Sequence, residues 1–121
     1  MMNWSENIKL ILSSGFSLEN IGVNNWALDN KQALEVLDEF ERQGIAVLGG
    51  DVYEIVDGIP ESNYDNWYCE QYDDEPFLDF SKRSIAKARE YINNYKQSSS
   101  KSVMYTIVAE ELQDQRGYEE G

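Results

Sequence analysis

The sequence predicts an α+β fold in which a small antiparallel sheet of three to four strands packs against two or three helices. Two observations lead there. Apolar residues recur at helical spacing up to about residue 43 and again over 81–95, whereas 45–56, 64–70 and 103–109 alternate or run together as strands do. The punctuation between these stretches is that of caps and turns: Asp29 with Gln32, Gly44, Asp57-Gly58-Ile59-Pro60 and Asp73-Asp74-Glu75-Pro76. The chain has 121 residues, of which 41% are hydrophobic. That is too apolar for general disorder and long enough for one domain that buries roughly two thirds of its unfolded surface. The domain is expected over 1–112, with 113–121 a flexible acidic tail.

Ser5 to about Ser14 reads as the first helix, with Ile8, Ile11 and Leu12 on one stripe and Gly15 as its stop. Phe16 to Asn25 reads as a short helical turn and a loop in which Ser17 or Asn20 caps. Asp29 then caps a stronger helix over 30–43, with Gln32 as the capping-box partner. Ala33, Leu34, Leu37 and Phe40 form its core stripe, Glu41 sits at the edge, and Gly44 ends it.

Ile45-Ala46-Val47-Leu48 has the apolar, β-branched character of a buried strand. Gly49-Gly50 is either a two-residue hairpin turn or a bulge where the strand passes close to another backbone; the alternation that continues from Asp51 to Val56 favours the bulge. Asp57 to Pro60 marks a turn, and Tyr64 to Glu70 is the return strand. A helix over Ser81 to Tyr95 follows, with Ile85, Ala88, Ile92 and Tyr95 inward. Ser98-Ser99-Ser100 is a flexible connector to a last strand over Val103 to Ala109, with Val103, Tyr105 and Ile107 on one face. Buried positions should include Leu34, Leu37, Phe40, Val47, Ile85, Ile92 and Tyr105.

Charge is the most informative feature for function. The net charge is −13, and residues 43–81 carry ten carboxylates and no lysine or arginine. Unopposed carboxylates repel one another, a cost that folding alone seldom requires. Tyr53, Tyr64, Trp67, Tyr68 and Tyr72 lie among them and offer rigid contact area. Such a segment reads as an anionic docking surface for a cationic protein, or more blandly as a solubilising face. The balance excludes phosphate-backbone binding, which needs clustered lysine and arginine. Residues 82–101 reverse to a net +5 on the expected helix, and can pair with the acidic segment inside the fold.

Chemistry is sparse. There is no histidine, so histidine triads and Cys/His zinc sites are ruled out, and no phosphate-binding glycine loop is present. Asp73-Asp74-Glu75 lacks the alternating acids and central glycine of a calcium loop. No metal, cofactor or catalytic residue is therefore assigned, and no carboxylate pair stands out for acid–base work. Cys69 is the only cysteine, which suits a reducing, cytoplasmic location, and it is expected to be a small buried or half-buried residue with no activating neighbour in sequence. No membrane span or basic signal region is legible. Trp4 and Trp26 are expected to pack near helix ends. Trp67 is either a core residue or an exposed anchor. On a strand it shares a face with Asp65, so its burial would expose Tyr64, Asn66, Tyr68 and Glu70.

Gly44-Ile45-Ala46-Val47-Leu48-Gly49-Gly50-Asp51-Val52-Tyr53 and Tyr64-Asp65-Asn66-Trp67-Tyr68-Cys69 resemble the pattern of immunity protein family 40 of bacterial polymorphic-toxin systems. The likeness extends upstream to Ile21-Gly22-Val23 and Asn25-Trp26-Ala27-Leu28, and downstream to Arg83-Ser84 and Ala88 to Tyr95. It implies an α+β immunity protein, not an enzyme, that binds and neutralises a cognate toxin of the same bacterium. It carries no interface residues with it. From charge and aromatic placement, Asp51, Asp65, Asp73, Asp74 and Glu75 are the electrostatic candidates, with Tyr53 and Tyr68 as anchors. The rival readings are a cytoplasmic adaptor or regulator of a basic protein, and a carboxylate-dependent hydrolase or metal-binding protein.

Overall fold

The structure is a computed structural model that describes residues 4–95 and 102–112. The Ser98 connector and the 113–121 tail lie outside those residues. Three helices and two antiparallel sheets make up the fold: α1 (Glu6–Leu12), β1 (Phe16–Ser17), β2 (Trp26–Ala27), α2 (Asn30–Gln43), β3 (Ala46–Val56), β4 (Ile59–Tyr68), α3 (Phe77–Asn94), β5 (Val103–Tyr105) and β6 (Val108–Glu110). This is the expected α+β class.

Local signals set the helices. Ser5 Oγ accepts from Ile8 N at 3.1 Å and starts α1. Asp29 Oδ1 accepts from Gln32 N at 2.7 Å while Gln32 Oε1 accepts from Asp29 N at 3.0 Å, the reciprocal capping box that starts α2. Two corrections apply to their details. Gly15 does not cap α1; a side chain there would run into the Ala27 carbonyl, so the glycine admits β2. The α2 stripe is Ala33, Val36, Leu37 and Phe40, and Leu34 is only half-buried, because α2 packs between α1 and α3 and its buried face is rotated toward Val36. Helix α3 begins at Phe77, ahead of the expected Ser81, with Pro76 in the cap position, where its missing N–H costs nothing.

Strand β3 is central, with β4 on one side and β5 then β6 on the other, all antiparallel to it. The β3–β4 turn is only Asp57-Gly58, with φ of 53° and 78°, a two-residue hairpin whose positive φ values suit the strand twist. The return strand consequently begins at Ile59 and not at Tyr64, and Pro60 is tolerated because β4 is an outer strand. The single last strand expected over 103–109 is broken at Thr106-Ile107. Thr106 there pairs twice with Asp51: Thr106 N donates to Asp51 O at 2.9 Å, and Thr106 Oγ1 accepts from Asp51 N at 3.1 Å.

Helices α1, α2 and α3 cover one face of the sheet and enclose Val47, Val52, Trp67, Tyr105, Ile107 and Ala109. Two buried serines fasten α3 to the start of β3. Ser81 Oγ donates to Ile45 O at 2.9 Å, and Ser84 Oγ accepts from Val47 N at 2.9 Å. Part of the opposite face is covered by the 16–27 arm, through Leu18, Ala27 and Val23 against Tyr53 and Met104. Buried Asn25 holds that arm by donating from Nδ2 to Ile107 O at 3.2 Å.

Candidate functional site

The site begins with the glycine pair. Gly49 and Gly50 lie within β3 opposite Tyr68 and Trp67, so the bulge-and-close-approach alternative is the correct one; the chain does not turn there. A side chain on Gly49, whose φ is 154°, would overlap the Trp67 carbonyl. One on Gly50 would overlap the Trp67 indole and the Thr106 carbonyl. Two missing side chains thus let the indole lie flat across β3 beneath the helices, 6% exposed. Its ring stacks on Tyr91 of α3 with centroids 4.7 Å apart. Trp67 is core, and strand alternation turns Asn66 and Tyr68 to the open face.

On that face Asp51 stands opposite Asn66 in the ladder, beside Tyr68, which is 67% exposed. The double pairing with Thr106 fixes the Asp51 backbone, and its side chain reaches solvent. Lys87 Nζ donates to Tyr68 O at 2.6 Å and lies 5.5 Å from the Tyr68 ring centroid, which steadies this aromatic. Tyr53 has a different fate. It faces the same side as Asp51, yet the 16–27 arm covers it and leaves it 7% exposed, so it is a core residue and not the exposed anchor expected. Burial, with the nearby Asp51 charge, raises its hydroxyl pKa.

Strand β4 bulges between the two registers Asp51↔Asn66 and Tyr53↔Ser62. Tyr64 sits there in the left-handed region at φ 70° and is 86% exposed. Ser62 Oγ accepts from Tyr64 N at 3.1 Å, Asn63 Oδ1 from Asp65 N at 2.9 Å, and Tyr64 O from Asn66 Nδ2 at 3.2 Å. Asp65 is carried toward α3, where Tyr95 Oη donates to its Oδ2 at 2.6 Å and receives Asn63 Nδ2 at 2.8 Å. Burial first, then that bond to Asp65, pushes the Tyr95 hydroxyl pKa up to about 12.

The third part is the loop from Cys69 to Pro76, organised by one residue of α3. Arg83 Nε and Nη2 grip Glu75 Oε2 and Oε1 at 2.8 and 2.7 Å, Nη2 also donates to Glu70 O at 2.6 Å, and Nη1 lies 3.2 Å from Cys69 Sγ. Its guanidinium covers the Tyr72 ring at 4.0 Å. The thiol, 4% exposed, therefore has a cationic neighbour in space that it lacks in sequence. Glu75 is directed inward: its side chain is 11% exposed, and the Arg83 bonds hold its carboxyl pKa down to about 2. Asp73 and Asp74 remain exposed at the loop tip beside Tyr72, which is 65% exposed.

Of the seven site residues expected from sequence, Asp51, Asp65, Tyr68, Asp73 and Asp74 are exposed along one stretch of β3, β4 and the following loop, whereas Tyr53 and Glu75 are not. The sequence-based choice omitted Tyr64 and Tyr72 from that stretch, although both lie among the acids, and it missed Arg83 as the residue that holds the loop. Among the described residues no three of the acids and Cys69 converge as a metal ion would require, and no helix is long and apolar enough to cross a membrane.

No curated protein and no solved structure matches the chain. The model of one family, Immunity protein 40, matches residues 17–109. The matched span runs from the arm that covers Tyr53 to the end of the sheet and takes in the glycine pair, the Asp-Asn-Trp-Tyr block and Arg83. It omits only α1 and the two ends of the chain, and by this match the chain belongs to the immunity protein 40 family.

Proposed function

We propose that the chain binds a cognate bacterial toxin and neutralises it by occlusion, without catalysis of its own. Family membership carries this reading. The surface supports it: Tyr64, Tyr68 and Tyr72 are exposed large aromatics on β4 and the loop after it, interspersed with Asp51, Asp65, Asp73 and Asp74. Exposed tyrosines held in place by their neighbours supply contact area at small entropic cost, and the acids around them favour a basic partner. A cationic cleft of the kind that binds phosphate would accept such a surface in place of its substrate. A net charge of −13 disfavours phosphate-backbone binding and so favours a protein partner over nucleic acid. The place of action is the cytoplasm, where the single thiol of Cys69 stays reduced.

The test is co-expression with the product of the adjacent gene. The expected result is a complex that co-purifies and cells that survive the toxin only when this chain is present. A chain that protects without binding, or binds without protecting, would refute the proposal. Binding to a basic cellular protein other than a toxin would favour the adaptor alternative.

A further inference from the structure

A cleft of about 550 Å³ lies between the β4 bulge and the last turns of α3, lined by Asp65, Lys87, Glu90, Tyr91, Asn94 and Tyr95. Its walls combine two carboxylates with two aromatic rings. The rings cannot easily withdraw. Tyr91 is stacked on buried Trp67, Tyr95 lies 5.7 Å from Tyr91, and Tyr95 meets Tyr105 edge-on at 6.0 Å. The one cation on the lining, Lys87, has its ammonium directed to the Tyr68 carbonyl.

The bulge is what brings a carboxylate to this place. A regular β4 would need no non-glycine residue in the left-handed region, a conformation that side chains disfavour. The chain accepts it at Tyr64 and fixes the neighbouring Asp65 through Asn63 and Tyr95. One oxygen, Asp65 Oδ2, accepts from the Tyr95 hydroxyl, which sets the orientation of the carboxylate. A fixed carboxylate beside tyrosine rings, with a second carboxylate in the same lining, is the environment a planar cation requires.

We infer that this cleft receives the guanidinium of an arginine side chain presented by the toxin, with Asp65 and Glu90 pairing its N–H groups and the Tyr91 and Tyr95 rings forming the wall beside it. The inference rests on the immunity reading for the source of the arginine. The chemistry of the cleft stands apart from it. Arginine fits better than lysine because its flat, weakly hydrated head can lie along a ring while its N–H groups face the carboxylates. The partner side is set by charge: the chain is strongly anionic, so its partner at this surface is cationic.

The decisive experiment titrates the isotope-labelled full chain with N-methylguanidinium chloride, and separately with N-methylammonium chloride, at constant ionic strength. The expected result is saturable NMR shift changes confined to residues 63–66 and 87–95, stronger for methylguanidinium. Asp65→Asn and Glu90→Gln, each verified as folded by its unchanged spectrum elsewhere, should each weaken the response about two- to fivefold, as for an exposed ion pair. Equal response to the two cations, or shifts located elsewhere, would overturn the assignment. A second arm uses the toxin. The double variant should bind it about tenfold or more weakly than the native chain. If both bind the toxin equally, the cleft assignment fails while the immunity reading survives. If even the native chain binds no toxin, the reading fails, and the methylguanidinium titration still decides the cleft.

Discussion

Arg83 on α3 and Glu75 in the loop after β4 form a two-point ion pair, with N–O distances of 2.8 and 2.7 Å. The geometry is the parallel fork that suits guanidinium and carboxylate. Its role is positional. Glu75 Oε1 also accepts from Tyr72 N at 3.1 Å, and Gln71 Nε2 donates to Glu75 O at 2.8 Å, so the pair fixes the loop that presents Tyr72, Asp73 and Asp74. Replacing Arg83 with methionine, which keeps most of the aliphatic stem but removes every donor, should release this loop and leave the sheet intact. Hydrogen exchange should show lost protection at Tyr72 and Glu75, with that of Val52 and Ile85 unchanged. Global loss of protection would show instead that Arg83 is needed by the whole fold.

The same pair predicts an acid-sensitive contribution to stability. The folded-state pKa of Glu75 is about 2, below its ordinary value of 4.5, chiefly through the Arg83 hydrogen bonds. A lowered carboxyl pKa means that the unfolded chain takes up the proton first as pH falls. The contribution is therefore complete above about pH 4.5 and is lost as pH descends through about 2. Denaturation of the native chain and Glu75→Gln should differ at pH 7 and converge across that interval. A constant difference from pH 7 to pH 2 would contradict the pairing.

Core packing gives a sharper number. Leu37 is completely buried between α2 and its neighbours, whereas Leu10 on α1 is 74% exposed. Leu37→Ala should cost roughly 2–5 kcal/mol in denaturant unfolding. Leu10→Ala should stay within about 0.5 kcal/mol. Similar losses at the two sites would mean that the helix faces are misplaced.

Gly50 provides a test of the Trp67 arrangement. Alanine there would press on both the indole and the Thr106 carbonyl, and the two hydrogen bonds between Thr106 and Asp51 hold that carbonyl in place. Gly50→Ala should destabilise by at least the roughly 1–3 kcal/mol of an overpacked core and alter the near-ultraviolet circular dichroism of Trp67. A neutral substitution with an unchanged spectrum would place the indole elsewhere.

Binding kinetics should separate steering from contact. Asp73→Lys with Asp74→Lys should slow association with the toxin more than it hastens dissociation, because these acids stand at the exposed loop tip. The native on-rate should fall as salt shortens the screening length from about 30 Å at 0.01 M to about 8 Å at 0.15 M. Tyr68→Ala should act mainly on the off-rate. Stopped-flow measurements across a salt series provide both rates, and an on-rate indifferent to salt and to the charge reversal would reduce the acids to a solubilising face.

What the sequence determined by itself is the part of this protein governed by residues a few positions apart. The Asp29–Gln32 box, the α2 stop at Gly44, the apolar stripe of Ile85, Ala88 and Ile92, and the strand character of 45–56 follow from caps and periods that act within a turn or two of chain. The glycine pair was legible as a close approach, because a strand that continues past two glycines has little other use for them. Tertiary structure alone decided which of the acidic and aromatic residues face solvent. Tyr53 and Tyr64 look alike in sequence, but Leu18 and Ala27 arrive from a distant arm to bury the first, while a bulge lifts the second outward. Glu75 and Asp74 are adjacent, yet only Glu75 meets Arg83. The break at Thr106 exists because its hydroxyl finds Asp51 across the sheet. In each case the deciding contact joins residues far apart in the chain, and its energy depends on a separation in space that no local pattern of residues encodes.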